Sequence, residues 1–224
     1  MKNRTRIALA MLLATATPAA ASANLLTNGS FETPAVPAGG LAEYTPGTNL
    51  GGWIVINTPV AALGGFSEPG YTYPAQDGSI SLDLTGIGTR GAGGVQQTVD
   101  LATGNYLLSF WIGNDDGPTF SQPTSVELFV NGASQGSFTN SDVTAGTINW
   151  RNYTFDLASI GGATTIGFVN RTSTNDNGAF FDNVSLVAAG TSAVPEPATW
   201  AMMIAGFGAV GASMRGRRLT AAFA

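Results

Sequence analysis

Between residues 24 and 187 apolar and polar side chains alternate in short runs, the pattern of extended strands with one face buried. Tyr106, Leu108, Phe110 and Ile112 fall on one face of such a run, with Leu107, Ser109 and Trp111 on the other. Trp111 therefore points away from the core row. Val126, Leu128 and Val130 alternate with Glu127 and Phe129 and lead into Asn131-Gly132, a pair suited to the positive φ angles of a tight hairpin. Tyr153, Phe155 and Leu157 alternate with Thr154 and Asp156. Near the end of the region, Phe180, Asp182, Val184 and Leu186 form a row opposite Phe181, Asn183 and Ser185, which predicts a core-facing carboxylate at Asp182. Strands are predicted over 52–57, 79–84, 94–101, 105–112, 125–130, 135–139, 152–157, 164–170 and 179–187. Short strands joined by Gly- and Asn-rich turns predict an all-β chain, a single two-sheet β-sandwich.

The two ends have a different character. Lys2, Arg4 and Arg6 precede an apolar stretch over 7–20, and Ala21-Ser22-Ala23 offers the small residues a signal peptidase accepts. The pattern predicts a signal peptide over 1–23, with Ala21 and Ala23 at the cleavage site and Asn24 as the new terminus. Residues 24–187 are then the folded domain, a length suited to one core.

Charge narrows the chemistry. From Asn24 to Val194 three arginines (Arg90, Arg151, Arg171) stand against thirteen acids, a formal charge of −10. Such a surface repels phosphate backbones, which excludes nucleic acid as the expected partner and favours divalent cations. The chain has no cysteine and no histidine, and its one lysine is Lys2. Serine triads, thiol nucleophiles and zinc hydrolysis are excluded in their ordinary forms, and only carboxylate chemistry such as glycoside hydrolysis is left for an enzyme. Asp115 and Asp116 are sequence neighbours, a poor arrangement for an acid and nucleophile on opposite sides of a bond. The expectation is a protein without catalytic activity.

Several short motifs recur in galactose-binding-like jelly-roll modules: Asn28-Gly29-Ser30-Phe31-Glu32, Gly52-Trp53, Asp77-Gly78-Ser79, the run from Tyr106 to Phe110, Trp150 before Tyr153, and Phe181-Asp182-Asn183-Val184-Ser185-Leu186. The domain resembles those modules along nearly its whole length. The resemblance implies terminal strands lying side by side and a structural Ca²⁺ held by Glu32 and Asp182, with Asp77 as a weaker third ligand. Calcium takes six to eight oxygens, so two acids and backbone carbonyls suffice; the alternative is a buried Asp182 that caps backbone N–H groups.

After a linker over 188–194 the composition changes again. Pro195-Glu196-Pro197 precedes Trp200, an apolar stretch to Met214, and the basic Arg215, Arg217 and Arg218. This order resembles the PEP-CTERM sorting signal recognised by exosortases, here over 195–218, with a tail at 219–224. The seventeen residues 198–214 rise about 25 Å as a helix, a minimal transmembrane span. Trp200 suits the outer interface and the arginines the cytoplasmic side, so the domain faces the periplasm. The resemblance implies transient anchoring in the inner membrane, then release to the cell envelope, outer surface or extracellular matrix.

For the domain itself, aromatic rings with neighbouring Asp side chains point to carbohydrate. Trp53, Tyr71, Tyr73, Trp111, Asp115 and Asp116 are the candidates, with Tyr71 and Tyr73 on one side of an extended segment; the alternative places Trp53 and Trp150 in the core and Trp111 under a loop. Expected partners are signal peptidase, an exosortase and an exopolysaccharide or other glycan. The alternative is a structural protein of the exopolysaccharide or biofilm matrix with no defined ligand.

Overall fold

The computed structural model describes residues 23–88, 91–115, 123–172, 178–189 and 206–207. Ala21, Asp116 and the sorting residues Pro195, Glu196, Pro197, Trp200, Arg215, Arg217 and Arg218 lie outside them. Among the described residues no helix is long and apolar enough to cross a membrane.

The strands are β1 (Leu41–Tyr44), β2 (Asn49–Leu50), β3 (Trp53–Ile56), β4 (Val60–Leu63), β5 (Ser67–Glu68), β6 (Tyr71–Thr72), β7 (Ser81–Asp83), β8 (Gly94–Asn114), β9 (Thr124–Val130), β10 (Ala133–Asn140), β11 (Asn149–Asn170) and β12 (Phe180–Ala188). All pairings within the main sheet are antiparallel, in the order β1-β4-β7-β12-β8-β11-β9-β10, with β3 also on β8. The long β8 and β11 each pass through two layers. Their pairing from Gly94–Val169 to Leu101–Gly162 belongs to one sheet with β3, β9 and β10, and from Thr103–Ile160 to Asn114–Asn149 to the other with β1, β4, β7 and β12. These are called sheet A and sheet B below.

Burial along β8 shows the crossing. Val95, Gln97 and Leu101 are buried in its first half, and Tyr106, Leu108, Phe110 and Ile112 in its second, so the inward parity flips where the strand turns from one sheet to the other. The predicted strands 94–101 and 105–112 are therefore two halves of one ribbon, as are 152–157 and 164–170. Between the sheets, the Phe168 and Phe181 rings meet at 4.6 Å, Phe110 and Phe168 at 4.9 Å, and Phe31 packs on both Trp53 and Phe181. Burying such rings contributes about 1.5–3 kcal/mol each, which makes this layer the main source of stability in a domain without disulfides.

The two ends of the domain lie together, as the resemblance implies. Leu25 N–H donates to Leu186 O at 2.8 Å and Val184 N–H to Gly29 O at 2.8 Å, while Asn24 bonds the backbone of both Val184 and Leu186. The Asn131-Gly132 hairpin also matches expectation, with φ of 50° and 78° joining β9 to β10.

One parity differs from expectation. A bulge between Asp182 and Ser185, with Asn183 at φ 48°, shifts the register of β12. Phe181 before it and Val184 and Leu186 after it all enter the core, whereas Phe180 and Asp182 turn to the outer face of sheet B. Asp182 is buried there because another segment covers it.

Candidate functional site

The covering segment is 64–80, which carries the small β5–β6 hairpin. Beneath it the outer face of sheet B is a row of register partners: Ala61, Asp83, Phe180, Gly113 and Trp150. Leu63, Tyr71, Tyr73, Ile148 and Phe180 form a second apolar cluster between hairpin and sheet, with Phe66 and Trp150 packed against it. Gly113 makes room for it. A Cβ there would lie 2.5 Å from Ile148, 2.8 Å from Phe180 and 3.0 Å from Trp150, so the absence of a side chain lets these groups close over the strand. Trp150, expected in the main core, is instead a half-buried wall of this outer layer, its indole N–H donating to Pro74 O at 3.2 Å.

The layer gathers four of the six residues predicted to meet carbohydrate. Trp111 shares the outward parity of Gly113 on β8, Asp115 directly follows the strand and its charge acts on Tyr73, and Tyr71 and Tyr73 descend from the hairpin with their rings 4.8 Å apart. Both tyrosines are buried rather than displayed. Trp53 is a correction: it is fully buried beneath Phe31 and against Phe168, its indole N–H bonded to Asn28 O at 3.1 Å, and belongs to the main core. Its apolar neighbours on both sides explain the placement.

At the edge of the layer opens a pocket of about 190 Å³, walled by Phe66, Tyr73 and Phe180, with Glu68 and Asp83 supplying carboxylates and Leu41 and Ile87 an exposed apolar rim. The Tyr73 hydroxyl donates to Glu68 Oε1 at 2.6 Å. Burial first, then the Glu68 hydrogen bond and the charges of Asp115 and Glu68, hold the Tyr73 phenol far above its ordinary value, so it stays a neutral donor. Asp83 is held in place through Oδ1, which accepts from Thr85 N–H at 2.9 Å, the Thr85 hydroxyl at 2.6 Å and Ala179 N–H at 2.9 Å. The pocket thus joins flat apolar walls to fixed acceptors. Glu68, Phe66, Asp83 and Phe180 were missed as site residues in the sequence; the signal was the doubled apolar character of Val60-Ala61-Ala62-Leu63 and Phe180-Phe181, which a sheet with one wet face does not need.

The residues named for calcium meet on the same covering segment, from the other side. Glu32 Oε1 accepts from Ser79 N–H at 2.7 Å and Ile80 N–H at 2.8 Å; Asp182 Oδ2 accepts from Gln76 N–H at 2.8 Å and Asp77 N–H at 3.0 Å. Burial raises the Asp182 carboxyl to about 7, against the lowering effect of its backbone bonds and with a further push from the Asp77 charge. Among the described residues no three acids gather into a metal-binding group by side chains alone.

Comparisons with known proteins agree on two parts of the chain. Residues 193–218 match the PEP-CTERM protein-sorting motif, a sorting signal of exported proteins. No curated protein matches the chain. Similar solved structures include a complex of TmCBM61 with β-1,4-galactotriose (17% identity, 75% of this chain and 99% of that one, TM-score 0.42). Others are a family 35 carbohydrate binding module from Clostridium thermocellum (20%, 66% and 98%, TM-score 0.39) and the CBM22-1 xylan-binding domain of Paenibacillus barcinonensis Xyn10C (18%, 76% and 97%, TM-score 0.41). The family model described as HpiC1 cyclase matches residues 22–187, the entire sandwich with its covered outer face, and the chain belongs to this HpiC1-like family.

Proposed function

We propose that this is an exported cell-envelope protein whose sandwich binds one sugar ring of a glycan in the pocket beside the β5–β6 hairpin. The observation that carries the reading is the pairing of ring walls (Phe66, Tyr73, Phe180) with carboxylate acceptors (Glu68, Asp83) in one pocket. A cavity of about 150 Å³ accepts benzene, so about 190 Å³ suits a single six-membered ring. Rings stack on the C–H face of a sugar, and carboxylates accept from its hydroxyls. The decisive experiment is a glycan array followed by calorimetry on the purified protein, with Glu68→Ala beside the wild type. The expected result is binding that weakens at least tenfold in the variant while its melting temperature stays within a few degrees. Absence of any glycan bound by the wild type would favour the matrix-protein alternative.

The route to the envelope is part of the proposal: cleavage after Ala23, transient anchoring by 198–214 in the inner membrane, and exosortase cutting at Pro195-Glu196-Pro197. Replacing that triplet with alanines leaves export intact and accumulates uncleaved membrane protein.

A structural calcium is proposed at the clasp of segment 76–80. Both Glu32 bonds fall on Oε1, which leaves Oε2 for a cation, and the mutual repulsion of Asp77 and Asp182 is what a bound cation would relieve. Glu32 and Asp182, completed by backbone carbonyls, would hold it.

A second reading, ring-closing catalysis, is favoured by the family match over 22–187. In the same pocket Glu68, the acceptor of the Tyr73 hydroxyl, would take a proton from the substrate and return it at another carbon as the ring closes, with no net change in composition. Appearance of an isomer of unchanged mass from an alkene-bearing substrate, lost in Glu68→Gln, distinguishes this reading from simple binding.

A further inference from the structure

Among the described residues no hairpin covers the centre of the outer face of sheet A. There Ile54, Gln96, Gly167 and Phe129 are successive register partners on β3, β8, β11 and β9, all on the side opposite the buried row Val55, Val95, Phe168 and Leu128. A groove of about 270 Å³ runs here, lined by Asn57, Gln96, Phe129, Thr165, Gly167 and Arg171. Gly167 is its floor. The atoms nearest to a Cβ added there are Gln96 Cβ at 3.5 Å, Val95 O at 3.8 Å and Phe129 Cβ at 3.9 Å, ordinary contacts, so the hollow is a missing side chain and not a close approach of strands.

The walls are held in position. The Arg171 guanidinium lies 5.8 Å from the centre of the Phe129 ring and is tied to Glu127 at 2.6 Å, so its charge is compensated and the ring is braced. Asn57, in the left-handed region at φ 66°, commits its Nδ2 to Ala92 O at 3.0 Å and so presents Oδ1 as an acceptor. The Thr165 hydroxyl is paired with that of Thr98 at 2.7 Å, a pair in which one oxygen retains acceptor capacity. An apolar ring, two amides and a hydroxyl around a neutral floor match a ligand with an apolar C–H face and many hydroxyls. A polyanion is disfavoured, because the groove's one arginine is already paired and the domain carries a large negative charge.

We propose that this groove is a second binding site, taking about two rings within a neutral polysaccharide chain. Gln96 and Phe129 stand two strand spacings apart, about 10 Å. The volume exceeds that of the hairpin pocket, and the register row Ile54, Gln96, Gly167 and Phe129 lets a chain lie across the strands. The inference rests on the glycan reading for its ligand class, while its residues are separate from the hairpin pocket. Two sites on opposite outer faces of the sandwich give avidity for a polymer or cross-link two chains.

The test uses the full-length protein in affinity electrophoresis against a soluble β-glucan, a galactan and a mannan, with alginate as the polyanion, and calorimetry with the corresponding monosaccharides. Gly167→Leu fills the groove. The expected result is a loss of at least tenfold in polymer affinity, unchanged monosaccharide binding and a melting temperature within a few degrees of wild type. Gln96→Ala with Phe129→Ser, both at half-buried outward positions, gives the same loss and stands in if Gly167→Leu does not fold. Wild-type binding of a monosaccharide with no polymer retained, equal retention of polymer by the folded groove variants, or preference for alginate overturns the second site and leaves the pocket reading intact. Binding of no sugar in any form overturns both.

Discussion

The two sheets bury their inner faces alike and treat their outer faces in opposite ways. Sheet A leaves Gln96, Thr98, Phe129 and Thr165 at least partly exposed around a glycine floor. Sheet B folds segment 64–80 over its outer face and so gains a second small core of Tyr71, Tyr73, Phe180 and Ile148, with the Asp182 carboxyl sealed at its margin and Glu68 at the exposed mouth of the pocket. The inner layer is apolar and self-sufficient. The covered layer mixes rings with acids, and an acid out of water stays there only with partners. That difference explains why the pocket and the proposed cation site both border segment 64–80, and it predicts that the layers fail differently.

The largest expected effect is in the inner layer. Truncation of a buried Phe costs about 3–5 kcal/mol, so Phe181→Ala and Phe168→Ala should unfold the domain or bring its denaturant midpoint down steeply. Chemical denaturation followed by tryptophan fluorescence measures this. A loss below about 1 kcal/mol in either variant would show that the sandwich does not depend on the ring stack joining its sheets.

Next in size is the clasp that holds the covering segment. Unfolded Asp182 titrates near 3.8 and folded Asp182 at about 7 in the absence of a cation. Between those values the native state holds a proton that the unfolded state has released, so this contribution is fully present below about 4 and is lost as pH rises through 7. Melting curves from pH 4 to 8 in chelator should show that decline, and Asp182→Asn should flatten it. Calcium should abolish the slope and, at a hundredfold excess over Kd, add roughly 2.7 kcal/mol. Equal melting temperatures in calcium and chelator would remove the cation from the clasp, and an unchanged slope in Asp182→Asn would remove the carboxyl from the pH dependence.

The contrast between faces also determines what could be read from the sequence. Sheet A was legible because its strands alternate cleanly: Val126, Leu128 and Val130 against Glu127 and Phe129 gave β9, and Asn131-Gly132 gave the turn. Strands β1, β2, β4, β5 and β6 were not predicted, because two to four residues are too few to show a period and those of β4 are buried on both faces. Alternation also misplaced Asp182, since a single bulged residue inverts every later side chain. Tyr71, Tyr73, Trp111 and Asp115 were singled out by residue type and do converge on one layer, but the covering segment that buries the tyrosines depends on contacts distant in the chain. Trp53 stood between a sugar contact and the core, because an aromatic beside glycines looks the same in a loop and in a core, and the structure places it in the core.

A smaller effect tests the close packing of the covered layer. In Gly113→Ala the new methyl must displace Ile148, Phe180 or Trp150, and overpacking of this kind costs about 1–3 kcal/mol. Its consequence should be local: faster hydrogen exchange over 64–80 and weaker pocket binding, with exchange in β9 and β10 unchanged. If exchange rises equally throughout the domain, hairpin and sandwich are one cooperative unit.

The smallest effect belongs outside both layers. Arg151 and Asp142 form an ion pair at 3.3 Å with both side chains about half exposed, and the guanidinium also lies 5.5 Å from the Tyr153 ring centre. Exposed pairs typically contribute about 0.2–1 kcal/mol and are screened by salt. Asp142→Ala should therefore lower stability by no more than that, with the difference from wild type vanishing in molar salt. Calcium response and glycan binding should be unaltered, because Asp142 lines neither the hairpin pocket nor the groove and its side chain bonds no residue of the clasp. A loss of calcium response in Asp142→Ala would mean that acidity in general, and not the placement of Glu32 and Asp182 on segment 76–80, determines cation binding, and the contrast between the covered and the open face would then have no bearing on the metal.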